Sequence, residues 1–194
     1  MTHLKFESFF TNVETDLNQL ASSPILRQFE QIPDSANLSF LAEEYEAFLR
    51  TKPNYFQVRL ISISNPGQEL IKIERKGTDI IKTPSSLLQN KADRDYYNEL
   101  IALNYNEIYY SKIDLNREFG KLSKPYIPTA RIGKKLKGGG DLNDFIIIIN
   151  INLTDLFSEL KRSIPQNDIL KITNIDGHYI LHPNFEQAFT FEFN

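Results

Sequence analysis

The stretch Phe145-Ile-Ile-Ile-Ile-Asn-Ile151 carries five apolar residues in a row and a single polar residue in seven. A strand with one face in water alternates apolar and polar side chains, whereas an unbroken run needs cover on both faces. The stretch therefore predicts a central strand, and the chain on either side predicts its neighbours. Upstream, residues 126–136 read as a strand joined to it through Gly138-Gly139-Gly140 and Asp141-Leu142-Asn143-Asp144, the composition of a flexible hairpin tip. Residues 107–113 read as the strand before that. Links this short favour antiparallel pairing, because parallel strands need a crossover of about a dozen residues or more.

Further out, 55–64 and 69–76 read as strands joined by Asn65-Pro66-Gly67-Gln68, whose Pro-Gly pair marks a turn. An irregular stretch with Pro84 follows Gly77. A short helix is expected over 92–103, with Asn90 and Asp93 suited to its start. At the N-terminus, Leu4, Phe6, Phe9, Phe10, Val13, Leu17, Leu20, Ile25, Leu26 and Phe29 keep helical spacing over 4–30. Pro24 interrupts that pattern, and Ser22-Ser23 can cap a second piece. Pro33-Asp34-Ser35 marks a break before a helix over 38–50. After the central strand, a helix over 153–162 is capped by Asn152 or Thr154. The chain then begins a new hairpin, with strands over 169–174 and 179–181 about Asp176-Gly177. Helices before and after a run of antiparallel strands give a two-layer α+β fold.

Composition narrows the class. The chain of 194 residues has 41% hydrophobic and 12% aromatic residues, enough for a real core, and a net charge of only −3. The densest basic patch, Arg131 to Lys137, lies beside three glycines and reads as a solvated hairpin end, so nucleic acid is not an expected partner. The absence of cysteine excludes disulfides, thiolate catalysis and cysteine-bound zinc, and suits either side of a membrane. The longest apolar run, Phe145 to Ile149, falls far short of the ~20 residues that span a bilayer. No signal peptide is visible, so any membrane anchor is expected outside this stretch.

Catalytic chemistry finds no footing. His178 and His182 are four apart, which on a strand is ~13 Å, too far for one metal ion, and no third histidine supports them. Serine-nucleophile and phosphate-loop signatures are missing, and Gly138–Gly140 has the spacing of neither nucleotide motif. Asp93, Asp95, Asp114 and Glu118 suit caps and turns as well as acid–base pairs. Neither a metal nor a cofactor is expected. More pointed is the group Arg94, Tyr96 and Tyr97 on the short helix, with Arg94 and Tyr97 three apart and so adjacent on its surface. A guanidinium fork between aromatic walls suits a carboxylate or phosphate. Asp114 is placed to face a ligand amine or to hold Arg94. Spacing alone also allows a surface arginine beside two tyrosines buried against the sheet, since aromatic pairs at helical spacing are usually core.

The run Leu88-Gln-Asn-Lys-Ala-Asp-Arg-Asp-Tyr-Tyr97 closely resembles a segment of the double-Cache sensor domains. These are the periplasmic or extracellular parts of prokaryotic histidine kinases, diguanylate cyclases and chemoreceptors. Four further stretches are similar to that family in the same order: Tyr55-Phe-Gln-Val-Arg-Leu-Ile61 with Pro66-Gly-Gln-Glu69, Glu107-Ile-Tyr-Tyr-Ser-Lys-Ile-Asp-Leu-Asn-Arg-Glu-Phe-Gly120, Lys124-Pro-Tyr-Ile-Pro-Thr-Ala-Arg131, and Asn174-Ile-Asp-Gly-His-Tyr-Ile-Leu-His-Pro183.

The resemblance covers about residues 38–190. It implies a helical stalk over 1–36, a membrane-distal PAS-like domain over 37–163, and an incomplete or vestigial membrane-proximal subdomain over 164–194. It further implies a small-molecule pocket on the distal sheet, roofed by the short helix, with Arg94, Tyr96, Tyr97, Tyr109, Ser111, Asp114 and Arg131 as its lining. The amino-acid-binding branch of the family carries Arg-x-Trp-Tyr with a tyrosine five residues earlier. Here Arg94 and Tyr97 match, Tyr96 takes the tryptophan place and Gln89 the upstream tyrosine place, and the expected ligand is a small molecule bearing a carboxylate. The implied role is an extracytoplasmic, non-enzymatic sensor in a membrane receptor, with possible homodimers through the N-terminal helix. The alternatives are a module that senses a partner protein, and a cytosolic PAS-type regulatory domain.

Overall fold

A computed structural model of the chain describes residues 2–105, 107–118, 120–138 and 144–193. Part of the expected hairpin tip, residues 139–143, therefore lies outside the described residues. Proline has no N–H to donate to the preceding turn, and the N-terminal helical run breaks there. Helix α1 spans Thr2–Ala21 and α2 spans Pro24–Gln31. Ser23 caps α2: its Oγ accepts the Leu26 N–H at 2.9 Å and donates to Glu44 at 2.8 Å. Helix α3, Ser35–Thr51, starts earlier than its apolar pattern suggested, because Asp34 accepts the Asn37 N–H at 2.8 Å and caps it.

Strands β1 (Tyr55–Ser62), β2 (Glu69–Lys76) and β3 (Asp79–Lys82) follow. Strand β3 occupies part of the stretch expected to be irregular, and its antiparallel pairing with β2 is a tertiary gain that four residues, three of them exposed, do not announce. Helix α4 (Asp95–Ile101) comes next, then the short strands β4 (Ile108–Tyr110), β5 (Asp114–Leu115), β6 (Arg117–Glu118) and β7 (Lys121–Leu122). The long strands β8 (Pro128–Leu136) and β9 (Phe145–Asn152) lead to helix α5 (Thr154–Arg162) and the hairpin β10 (Ile172–Thr173) and β11 (Tyr179–Leu181). Leu153, not Asn152 or Thr154, holds the N-cap position of α5. Asn152 Oδ1 nevertheless accepts the Thr154 N–H at 2.9 Å.

Two units divide the chain, one of residues 13–110 with 131–151, the other of 1–12, 111–130 and 152–194. In the first unit the sheet order is β3-β2-β1-β9-β8-β4, with β9 inside it as its apolar run requires. Antiparallel ladders join β1 to both β2 and β9, and β8 to β4. Val13, Leu17 and Leu20 of α1, Leu26 and Phe29 of α2, and Leu41, Tyr45 and Leu49 of α3 are buried at helical spacing in this unit. Arg75 ties α3 to β1, its guanidinium donating to the Leu49 and Lys52 carbonyls at the helix end and to the Tyr55 carbonyl at 3.3 Å.

In the second unit, β6 and β7 form a small hairpin, β5 pairs with Pro128 and Thr129, and Arg117 meets Glu192 at 2.7 Å. His178 and His182 flank β11: the first stacks on Phe191, and the second contacts the Asn184 backbone. No group of three or more metal-binding side chains occurs among the described residues.

Candidate functional site

Strand β1 reads Gln57-Val58-Arg59-Leu60-Ile61, and on a pleated strand Gln57, Arg59 and Ile61 share one face. The register fixes their neighbours. Gln57 lies opposite Glu74 and Arg59 opposite Lys72 on β2, while Gln57 lies opposite Asn150 and Arg59 opposite Ile148 on β9. Polar residues from three adjacent strands therefore gather on one face. A bulge adds one more. Between Leu60 and Ile61 the register slips, so that Ile61 faces Glu69 and not Leu70. Strict alternation would put Glu69 on the side of Ile71 and Ile73; the extra residue turns it toward Arg59.

These groups are buried. Arg59 is 3% exposed, Glu69 1%, Lys72 4%, Lys91 5% and Asn150 1%. Arg59 Nε lies 3.2 Å from Glu69 Oε1, and the Arg59 fork also donates to Gln57 Oε1. Gln57 Oε1 accepts from Asn150 Nδ2 at 2.9 Å. Glu74 bridges Lys72 at 3.0 Å and Lys76 at 2.9 Å. Burial pushes the Glu74 carboxyl up, but hydrogen bonds and charge from Lys76 and Lys72 outweigh it and hold the group below the ordinary carboxylate value. Taking charges out of water costs several kcal/mol per ion, and the return depends on complete hydrogen bonding. That completion is missing here: Arg59 Nε, Glu69 Oε1 and Asn150 Oδ1 are buried without a hydrogen bond. A donor and two acceptors on one buried face are the groups a polar ligand would satisfy.

The rim of this face is built by residues 88–94, which run over the β1–β2 turn. The Lys91 N–H donates to the Gly67 carbonyl at 2.7 Å, and Asn90 Nδ2 to the Pro66 carbonyl at 2.8 Å. Gly67 has φ +77°, and a Cβ there would sit 2.2 Å from Ala92 N, so only glycine permits the approach. Glu69 Oε2 accepts the Gln89 N–H at 2.9 Å, and Lys91 Nζ donates to Gln89 Oε1 at 2.7 Å.

Arg94 ends the segment. It was expected on the helix, but it holds the N-cap position of α4 with extended backbone (φ −93°, ψ 134°), and its side chain is 31% exposed, 3.8 Å from Asp93. Neither Asn90 nor Asp93 caps α4; Asn90 Oδ1 accepts the Ala92 N–H instead. Tyr96 joins rim to floor. Burial raises its phenol, the Arg59, Arg131 and Arg94 guanidiniums pull it down, and Glu69 pushes it up, so all four charges act on one hydroxyl. The Arg131 guanidinium stands over the Tyr96 ring at 5.7 Å.

Of the seven residues the resemblance implied, Tyr96 and Arg131 thus stack together, and Arg94, two residues before Tyr96, adds its charge to the Tyr96 phenol. Tyr97 and Tyr109 lie beside Tyr96 in an apolar cluster with Ile61, Leu100, Ile146 and Ile148, and Tyr109 donates to Glu99 at 2.7 Å. This cluster seats α4 on the sheet. Gly133 lets it approach, since a Cβ there would meet Leu100 Cδ1 at 2.4 Å. Ser111 and Asp114 fall in the other unit, where Ser111 donates to the Lys112 carbonyl and Asp114 pairs with Thr129. The sequence reading passed over Gln57, Arg59, Glu69, Lys72, Lys91 and Asn150. For Gln57, Arg59, Lys72 and Asn150 the available signal was a polar residue set among apolar ones in a strand, a signal that Glu69 and Lys91 did not carry. A depression of about 350 Å³ elsewhere in the same unit, lined by Asn18, Glu30, Tyr105 and Lys134 among others, has no buried unsatisfied side-chain atom among the described residues.

Comparison with known proteins supplies the context for this arrangement. No curated protein matches the chain. The extracellular domain of the histidine kinase vpHK1S-Z8 superposes with a TM-score of 0.82 at 24% identity, over 96% of this chain and 66% of its own. A domain of a sensory box/GGDEF family protein from Vibrio parahaemolyticus gives 0.82 at 24%, over 96% of this chain and 69% of its own. The sensory domain of the Campylobacter jejuni chemoreceptor Tlp3, with isoleucine bound, gives 0.66 at 15%, over 95% and 67%. The chain thus spans about two thirds of the length of these neighbours, and the expected α+β fold agrees with theirs. No described helix is long and apolar enough to cross a membrane. A family model for the bacterial histidine kinase sensor domain matches residues 2–193, and the chain belongs to that family of non-catalytic sensing domains.

Proposed function

We propose that this sensor domain detects a small molecule bearing a carboxylate, bound between the charged sheet face and the 88–94 rim. The observation that supports it is Arg59 Nε, a buried donor with its hydrogen bond unmet, which a carboxylate completes, while the unmet acceptors Glu69 Oε1 and Asn150 Oδ1 take a donor group of the same molecule. Arg59 and Arg94 supply the guanidiniums for the carboxylate, and Tyr96 supplies an aromatic wall. Tyr97 and Tyr109 hold α4 in position. In the longer receptor, occupancy biases an equilibrium between two states that an intracellular output domain reads. The first half of α1, with Leu4 67% exposed, is the surface through which two copies pair in this reading.

The test is the melting temperature of the domain with acetate, lactate, succinate, isoleucine and asparagine, each added in excess. A compound held at about a hundred times its Kd stabilises by roughly 2.7 kcal/mol, a readily measured shift. The shift should vanish in Arg59→Met and fall in Arg94→Ala. Shifts that survive both substitutions, or a panel that is silent throughout, would remove this reading.

A further inference from the structure

One carboxylate on the charged face has two partners of unequal quality. Glu69 Oε1 lies 3.2 Å from Arg59 Nε, yet neither atom completes a hydrogen bond. A guanidinium binds a carboxylate best through two parallel, in-plane N–H···O bonds, and this pair does not reach that geometry. Glu69 Oε2, by contrast, accepts the Gln89 N–H at 2.9 Å, and the Glu69 N–H donates back to the Gln89 carbonyl at 3.1 Å. Lys91 Nζ stands 3.9 Å from Glu69 Oε1 and bonds Gln89 Oε1 at 2.7 Å. One oxygen is thus well held by the rim, while the other neutralises Arg59 without bonding it well.

We infer that Glu69 is the resident counter-ion that a ligand carboxylate replaces on Arg59, and that its second oxygen passes the replacement on to residues 88–94. The inference rests on the carboxylate reading of the site given above. A bidentate ligand carboxylate outcompetes an off-axis internal one because it completes bonds that Glu69 leaves open. Once displaced, Glu69 Oε1 turns to the neighbouring cation, Lys91, which sits on the rim. Because Glu69 and Gln89 are linked by both backbone and side chain, the rim shifts with it. Gly67 and Ala92 are packed too closely to absorb the motion locally, so it continues to Arg94 and the start of α4.

The experiment titrates the whole domain with acetate and follows two signals: the Arg59 Nε–H resonance and hydrogen exchange at the Gln89 amide. In the wild type both should move along one binding curve. Glu69→Gln keeps an acceptor for the Gln89 N–H but removes the charge. It should bind acetate about tenfold more tightly, the equivalent of one charge-assisted hydrogen bond no longer contested. Gln89 exchange should then no longer respond to acetate. If Arg59 responds in the wild type while Gln89 does not, the relay is overturned and the carboxylate site stands. If only the Glu69→Gln variant binds acetate, Glu69 is upheld as the occupant of the site and the wild-type carboxylate reading fails. Silence in both proteins, or equal affinity in both, overturns the inference. Should Glu69→Gln not fold, Glu69→Asp retains the charge but withdraws it from Gln89. Its Gln89 amide should exchange faster before any acetate is added, and an unchanged rate would count against the relay.

Discussion

On one face of the central sheet Val58, Leu60, Ile71, Ile73, Ile147 and Ile149 are all at most 2% exposed, on the side where α3 packs against β1 and β2. On the other face the same strands bury Gln57, Arg59, Lys72, Glu74 and Asn150 to nearly the same degree. Burial of an aliphatic side chain contributes roughly 1.5–3 kcal/mol, so the first face accounts for itself as core. Burial of an ion pair returns little or nothing net, and the second face leaves three atoms without hydrogen bonds. Two surfaces of equal depth therefore have different reasons to exist. The apolar one is explained by the fold alone, and the charged one is the face on which the proposed ligand site lies.

Breaking each face in turn tests this difference. Arg59→Ala leaves Glu69 buried without its main cation and should cost about 3–5 kcal/mol. Leu60→Ala, its neighbour on the opposite face, should cost about 2–5 kcal/mol through lost transfer energy and a cavity. The two diverge on repair. The double change Arg59→Met with Glu69→Leu should regain most or all of the stability, since an apolar pair of similar size is often neutral or better than a buried ion pair. It should also abolish carboxylate binding. Urea denaturation measures all three, and a double variant as unstable as Arg59→Ala would show that the charged pair serves the fold after all.

A smaller effect is expected where the charged face turns apolar. At Gly133 a Cβ would sit 2.4 Å from Leu100 Cδ1 and 3.0 Å from the Ile147 carbonyl, so Gly133→Ala must push α4 outward. Overpacking of this size costs typically about 1–3 kcal/mol. Displacing α4 also displaces Arg94 and Tyr96, so ligand affinity should fall by more than stability alone explains. Equal ligand-induced melting shifts in the variant and the wild type would separate the helix seat from the site.

How much of this was legible follows from what kind of interaction decided each part. The isoleucine run of β9 announced a central strand because its apolar residues fill both faces, and α1 to α3 announced themselves by spacing and by Ser23 and Asp34. Arg59 and Asn150 were visible in principle, as polar residues in otherwise aliphatic strands, but which strands lie side by side is a long-range property that alternation does not encode. Glu69 was hidden outright. Period two groups it with Ile71 and Ile73, and only the bulge after Leu60 reverses it. Arg94 and Tyr96 stood out by residue type and spacing and again in the motif resemblance, but neither signal pointed to Arg59 or Glu69 on the sheet. The same resemblance gathered Ser111 and Asp114, which the fold assigns to another unit.

The smallest effect separates the two sides by the sign of their response to acid. Glu74, on the charged face, is held below the ordinary carboxylate value of 4.5 by Lys76 and Lys72 against the opposing pull of burial. A carboxyl with a lowered folded pKa stabilises the fold above its unfolded value, and that contribution disappears as pH falls through the folded one. Among the helices, burial raises Glu44 despite the hydrogen bond from Ser23, and burial raises Glu30 despite Arg27. A raised carboxyl has the opposite linkage: its ionisation opposes folding, and stability is gained as it takes up a proton on acidification. Melting temperatures of the wild type, Glu74→Gln and Glu44→Gln, followed downward from neutral pH, should therefore diverge in opposite directions. The advantage of the wild type over Glu74→Gln should shrink as pH drops below about 4.5, the unshifted carboxyl value. Relative to Glu44→Gln, the wild type should improve as Glu44 protonates above that value. Parallel curves for Glu74→Gln would mean that its lysines do not stabilise the ionised form. The charged face would then owe its burial to Arg59 and Glu69 alone.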